Sequence, residues 1–388
     1  MSYEGFSWKE VEQIRASSGN LVPTAYVVTT SLPSDNKAGE IILTKFLALL
    51  GTFFKNIIVL ISSENLSFSN LPDWIQLIKI DSHERQAVNF VQKIINNINS
   101  QLTMCRVMRS FELNNMPVFF WNAGLLVMPN LYSRIKKASN VYFFFGKCSV
   151  APRIKYAGFK GYLLSFLINL IEIINLHFAK YIAIENYSLL KTNNFSPRLI
   201  RKLIEISLYV DVNVFNNQVP NSDRNIDVTY LGRLGPEKGI DKMIKAIELL
   251  DFANNKIKFT IIGSGFLKES VNRIIDKIKW VSFYDWMEYE QLPAILNKSK
   301  LLLIPSTIEG LPNVLIEAMA CGTIPLATCV GGIPGVVTHN KTGFLLKDNS
   351  PEIICNGIIS ALNCSNLTEI SERATAFIYD NYSFDAAT

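Results

Sequence analysis

The sequence predicts an α/β protein of two doubly wound, parallel-sheet domains in tandem. Three observations carry this. Short apolar runs alternate with helical patterns along the chain, the alternation stops once at the polar stretch "NNQVPNSDRNID" (216–227), and it then restarts. Parallel strands need crossover helices, so the alternation is the mark of such sheets. With 388 residues, 49% of them hydrophobic and 18% charged, the chain can fill two cores of ordinary size.

In the first half, "TAYVVTT" (24–30), "NIIVLIS" (56–62), "LIKI" (77–80), "PVFFW" (117–121) and "VYFFFG" (141–146) read as buried strands. "GEIILTKFLALL" and "RQAVNFVQKIINNI" read as amphipathic helices between them. "GYLLSFLINLIEIINLHFAKYIAI" (161–184) nearly has the length of a bilayer span, but Asn169, Glu172, Asn175, His177 and Lys180 are costly in hydrocarbon. It is therefore read as a buried helix feeding the strand "KYIAI". Just upstream, Lys147, Arg153, Lys155 and Lys160 are mixed with Tyr156, Phe159 and Tyr162. The segment is read as a solvated loop, with a basic, aromatic surface for anionic lipid headgroups as the alternative.

In the second half the strands are placed at 228–232, 257–263, 279–283, 300–305, 323–327 and 343–346. The expected domains are 1–212 and 228–388, joined by a linker at 213–227. Ligands of such folds bind at the carboxyl ends of the strands.

The 38 basic and 33 acidic residues leave a net charge of +5, too mild to point to nucleic acid but compatible with phosphorylated ligands or an anionic membrane. Six cysteines without C-x-x-C spacing, and only His83, His177 and His339, argue against a zinc cluster or a disulfide scaffold and for a reducing compartment. The first twenty residues lack the basic start and apolar core of a signal peptide, so a cytoplasmic location is expected.

Chemistry gathers after the second-half strands. "YLGRLGPEKGID" (230–241) turns through Gly232 and Gly235, with Arg233 and Lys238 on the loop. Such a loop offers backbone N–H groups and two cations to an oligophosphate, although both also read as solvated loop charges. "IIGSGF" adds a turn at Gly263, a common feature on its own. In "STIEGLPNVLIEAMACG" (306–322), Glu309, Gly310, Leu311 and Pro312 form a loop, Asn313 lies near the first turn of a helix, and Glu317 projects from its second turn. The two glutamates bracket a helix start that favours an anion. Carboxylates there suit the neutral parts of a nucleotide sugar, Glu317 accepting from ribose hydroxyls and Glu309 from sugar hydroxyls. The plainer alternative is an exposed helix face and a turn.

The block from Ser306 to Val337, with its E-x7-E spacing, resembles the retaining glycosyltransferases of family 4, which have the GT-B fold of two Rossmann-like domains around a cleft. "YLGRLGPEKGID", "IIGSGF" and "HNKTGFLL" fall in that family's order, and the resemblance covers about 228–384. It implies transfer of a sugar from a nucleoside diphosphate sugar to a hydroxyl, with anomeric configuration retained; the basic, aromatic segment 147–162 and the apolar helix after it suggest a glycan or lipid-linked acceptor. Arg233 and Lys238 would bind the donor diphosphate, Glu309 the transferred sugar and Glu317 the ribose. Gly310, Leu311, Pro312, Asn313, Gly232 and Gly263 would line the donor site. Gly39, in "SDNKAGEI", would let the first loop approach the donor phosphate.

The chain departs from the family where Ala38-Gly39 replaces a glycine pair, at Cys329 and Gly335, and after Phe145, where relatives often carry a histidine. No D-x-D motif occurs, so no metal or other cofactor is expected, the cations and the helix start neutralising the departing diphosphate. A non-catalytic nucleotide-sugar-binding subunit and a nucleotide-sugar epimerase are the competing classes. The expected partners are the donor, the acceptor and peripherally the inner face of an anionic membrane, with no nucleic acid.

Overall fold

The computed structural model describes residues 8–388 apart from 19, 31–36, 63–70, 81–89, 122–123, 147, 151, 154–155, 157, 193–194 and 207. His83, Lys147 and Lys155 therefore lie outside the described residues.

Seven strands form the first sheet: β1 (Val22–Thr29), β2 (Phe54–Ser62), β3 (Ile75–Ile80), β4 (Pro117–Trp121), β5 (Ser139–Phe144), β6 (Tyr181–Ile184) and β7 (Leu203–Glu205). They run in the order β3-β2-β1-β4-β5-β6-β7 with every pair parallel. Six form the second: β8 (Ile226–Leu231), β9 (Phe259–Ile262), β10 (Val281–Tyr284), β11 (Ser299–Ile304), β12 (Ile324–Thr328) and β13 (Phe344–Leu346), in the order β10-β9-β8-β11-β12-β13, again parallel. The strand order reverses between β1 and β4 and between β8 and β11, the points where a crevice opens at the strands' carboxyl ends. β7 had no counterpart among the expected strands, and β5 stops at Phe144, leaving Phe145 and Gly146 on the loop beyond it.

The helices are α1 (Trp8–Ser17), α2 (Lys37–Gly51), α3 (Phe90–Met108), α4 (Val127–Ile135) and α5 (Phe159–Phe178) in the first half. In the second they are α6 (Ile240–Phe252), α7 (Lys268–Ile275), α8 (Asn313–Ala320), α9 (Pro351–Leu362) and α10 (Leu367–Tyr382), besides several single turns. Each sheet is covered on both faces: one first-half core holds Leu43, Leu47 and Val59, the other Met104, Phe120 and Leu176. Strands apolar on both sides bury nearly every residue, as Ile324–Thr328 does, which is why they read as unbroken apolar runs.

One expectation needs correction. α5 is not a buried helix. Its inward side carries Gly161, Ser165, Glu172 and Asn175, and its outward side carries Phe159, Tyr162 and Phe166, which are 80%, 62% and 63% exposed. The polar side is satisfied locally: Ser165 Oγ donates to Ser149 O at 2.6 Å, Cys148 N donates to Glu172 Oε1 at 2.7 Å, and Asn130 Nδ2 donates to Asn175 Oδ1 at 3.1 Å. By length and composition it could span a bilayer, but these bonds hold it to the domain. The polar stretch before β8 packs against the second half. Phe215 is buried in a second-half core, and the buried Arg224 guanidinium donates to Leu296 O, Ser299 O and Cys321 O at 3.2, 2.8 and 2.7 Å. Burial lowers the pKa of Arg224 to about 10.

Candidate functional site

The second-half loops at the switch point are tied to one another before any side chain is considered. Thr307 N donates to Glu237 O at 2.9 Å, and Asn349 Nδ2 donates to Pro305 O at 2.9 Å, so the loop after β8 lies against the loop after β11. At Gly263, with φ +145°, a Cβ would stand 1.8 Å from Gly232 O. The two glycine turns are pressed together, and the β9 turn buttresses the loop that carries the cations.

On this frame Lys238 Nζ donates to Glu309 Oε1 at 2.6 Å, and Ser306 Oγ donates to the same oxygen at 2.6 Å. The Glu309 side chain is only 9% exposed, so the pair is sheltered rather than solvated. Arg233 stands apart. Its guanidinium pairs with Glu237 Oε1 at 2.7 Å and is otherwise in solvent. Pro312 is the N-cap of α8, and Asn313 opens the helix with a buried Oδ1 that lacks a hydrogen-bond partner.

Glu317 is neither an exposed helix residue nor beside Glu309's partners. It is buried, and its Oε1 accepts from Tyr289 OH at 2.7 Å and from Lys45 Nζ at 3.1 Å, with Lys45 Nζ 2.6 Å from the same phenol oxygen. Lys45 belongs to α2, so this ion pair joins the two halves. Gly39 sits buried in the first turn of α2.

The first half closes the site from the opposite side. Gly310 lies against the end of β5, where a Cβ would stand 2.6 Å from Phe145 O, so only glycine fits this approach. Glu185, directly after β6, accepts a short hydrogen bond from Leu311 N–H. Burial, and more weakly the charge of Glu309, push its carboxyl up to about 8, against the pull of the Leu311 amide. Ser188 Oγ donates to Gly331 O at 3.2 Å.

Glu185, Lys45 and Tyr289 were missed in the sequence. A signal existed for two of them: Glu185 follows a strand at its carboxyl end, and Lys45 interrupts an apolar helix. His177 lies exposed at the end of α5, and His339 Nδ1 accepts from Leu345 N at 3.0 Å, so neither described histidine reaches the site. Among the described residues no group of three or more His, Cys, Asp or Glu could hold a metal.

Residues 212–379, which carry both the cation loop and the two glutamates, match the model of the family described as glycosyl transferases group 1. The second half of the chain is a group 1 glycosyl transferase domain. The group 1 domain aligns with uncharacterized glycosyltransferases of Methanocaldococcus jannaschii, one 27% identical over 45% of this chain and 48% of that protein, another 32% identical over 41% and 42%. It also aligns with the lipopolysaccharide 1,2-N-acetylglucosaminetransferase of Salmonella typhimurium, 29% identical over 40% of this chain and 44% of that one. The matches thus span less than half the length of these relatives.

Two solved structures resemble the chain beyond the group 1 domain. They are sucrose-phosphate synthase from Thermosynechococcus elongatus, with TM-score 0.72 at 14% identity over 94% of this chain and 96% of that one, and Anabaena HepE in complex with UDP-glucose, with TM-score 0.66 at 14% identity over 93% and 96%. At such identities the likeness concerns the fold, which is GT-B, as the sequence resemblance implied.

Proposed function

We propose that the chain is a glycosyltransferase that moves a sugar from a nucleoside diphosphate sugar to a hydroxyl of a glycan or lipid-linked acceptor, with retention of configuration. One observation carries the proposal: the sheltered Lys238–Glu309 pair at the switch point of the group 1 domain, faced by Phe145, Gly146 and Glu185 of the other half.

In this reaction the bond from the anomeric carbon to the diphosphate oxygen breaks, a bond to the acceptor oxygen forms, and the acceptor's proton ends on the departing phosphate. The demand on the protein is to stabilise charge on the diphosphate while the sugar becomes oxocarbenium-like. Lys238, Arg233 after a turn of its side chain, and the amides at the start of α8 supply that charge from the chain itself, without a metal. Lys238 released from Glu309 meets the phosphates, and Glu309 released from Lys238 accepts from sugar hydroxyls. Asn313 Oδ1, an acceptor without a donor, suits a neutral hydroxyl better than a phosphate oxygen. Glu317 reaches ribose hydroxyls through Oε2, or through Oε1 once Lys45 withdraws. Gly232, Gly310, Leu311 and Pro312 line the donor, and Gly39 leaves room at the phosphate. HepE was solved with UDP-glucose, which supports a nucleotide sugar as the donor class. We place the protein in the cytoplasm, peripheral to an anionic membrane.

The test is incubation with a panel of UDP-, GDP- and ADP-sugars, following nucleotide release and sugar identity for wild type and Glu309→Ala. Release lost in the variant supports transfer. Binding without release indicates a donor-binding subunit, and an altered sugar without release indicates an epimerase.

A further inference from the structure

We propose that the α3–α4–α5 face of the first half docks on an anionic lipid bilayer, with α5 lying in the plane of the headgroup–acyl boundary. The proposal gives the membrane contact of the reading above a surface and a chemistry, and rests on that reading only in placing the acceptor at the same membrane.

The first ground is the inversion of α5. A helix on a water-facing sheet turns its apolar side inward. Here Phe159, Tyr162, Phe166, Leu170 and Ile173 recur at steps of three or four residues on the outward side, each at least 45% exposed. The stripe runs most of the length of a 20-residue helix, roughly 30 Å. Because the inward side is fastened through Ser165, Glu172 and Asn175, rolling the helix to hide the stripe would strand those polar groups.

The second ground is that the neighbours extend the stripe. α4 packs beside α5 and α3 beside α4, and all three cover one face of the sheet. α4 exposes Ile135, and α3 exposes Ile94 and Ile98. An apolar face spread over three adjacent helices has a covering partner.

The third ground identifies that partner. Residues 90–204 contain fifteen Lys and Arg against three acids, Glu112, Glu172 and Glu185, and the last two are buried. Some of the described basic residues lie on the helices of this face and at the start of α5. Arg134, Lys136 and Lys137 flank the exposed Ile135 in the chain, and at the start of α5 Lys160 lies 5.1 Å over the Tyr156 ring and Arg153 5.2 Å over that of Tyr162. Aromatic rings beside cations, around an apolar centre, match the layered chemistry of headgroup and acyl chain. A second copy offering the same face would bring cations against cations.

Full-length protein is sedimented with vesicles of phosphatidylcholine alone and of phosphatidylcholine with phosphatidylglycerol. Wild type is expected to pellet with the anionic vesicles. Phe159→Ser/Phe166→Ser should weaken partition by about tenfold or more, since two large apolar groups no longer leave water. Lys136→Ser/Lys137→Ser/Lys160→Ser should lose the preference for anionic lipid. UDP-sugar binding without lipid should be unchanged in both variants. An equal free fraction of wild type with and without anionic vesicles overturns the proposal, as does a concentration-dependent dimer abolished by Phe159→Ser/Phe166→Ser, which would give the face to a second copy. Vesicle binding retained in a protein that binds no nucleotide sugar would sink the donor assignment and leave this one standing.

Discussion

Lys45 of α2 and Glu317 of α8, 272 residues apart in the chain, meet as a buried ion pair at 3.1 Å, with the Tyr289 hydroxyl bonded to both. The pair fastens one half of the molecule to the other, and its chemistry can be probed without reference to any substrate.

Lys45→Met leaves Glu317 buried with only Tyr289 for company. Breaking such a pair from one side is expected to cost about 3 kcal/mol, and Lys45→Met/Glu317→Leu should recover most of it, because no charge is then stranded. Urea titration of the two variants checks this. A loss in Lys45→Met below about 1 kcal/mol would mean that the pair behaves like a solvated one.

Glu309→Ala removes the acceptor that holds both Lys238 and Ser306. Sugar transfer should fall by about 10²-fold or more in kcat while the protein stays folded, since the side chain lies on a loop and fills no core. Circular dichroism beside a nucleotide-release assay separates the two effects.

Lys238→Ala should likewise reduce kcat by about 10²-fold, and Lys238→Arg should restore part of it, because the cation on the departing diphosphate is what counts. Arg233→Ala should weaken donor binding less than Lys238→Ala does, since Arg233 is solvated and must first leave Glu237. Donor KM and kcat for the three variants decide the ranking.

Glu185 makes stability depend on pH. Its folded carboxyl is pushed up to about 8, chiefly by burial. An unfolded glutamate titrates near about 4.3, so the folded state holds the proton more tightly. The associated stability is fully present below about pH 4.3 and is lost as pH rises through about 8, at no more than about 1.4 kcal/mol per pH unit. Glu185→Gln keeps an acceptor for Leu311 N–H and cannot ionise. Melting curves should show its advantage over wild type widening up to about pH 8 and then levelling; a constant difference would exclude titration of Glu185 in that window.

Much of the fold was legible because strands buried on both sides spell themselves as apolar runs. "PVFFW" is β4 to the residue, and "KLLLIP" and "TIPLA" each lie within one residue of β11 and β12. β7 escaped because three residues make no pattern. That Lys238 and Glu309 lie at the same end of one sheet could be read from loops that follow its strands; that they pair could not. The Lys45–Glu317 pairing could not, because no local pattern reports which surfaces of two domains meet. α5 was misread for a related reason: apolarity says that a side chain avoids water, not what covers it.

Arg224 sets where the molecule can bend. Its guanidinium rivets the stretch before β8 to the carbonyls of Leu296, Ser299 and Cys321, and upstream Val210 N donates to Tyr382 O at 2.8 Å. These bonds fasten the stretch from Val210 to β8 to the second half, while the chain end at Thr388 returns to the first half beside Leu21, Val22 and Phe53. The riveted stretch thus moves with the second half, and any swing of the halves has to bend outside it.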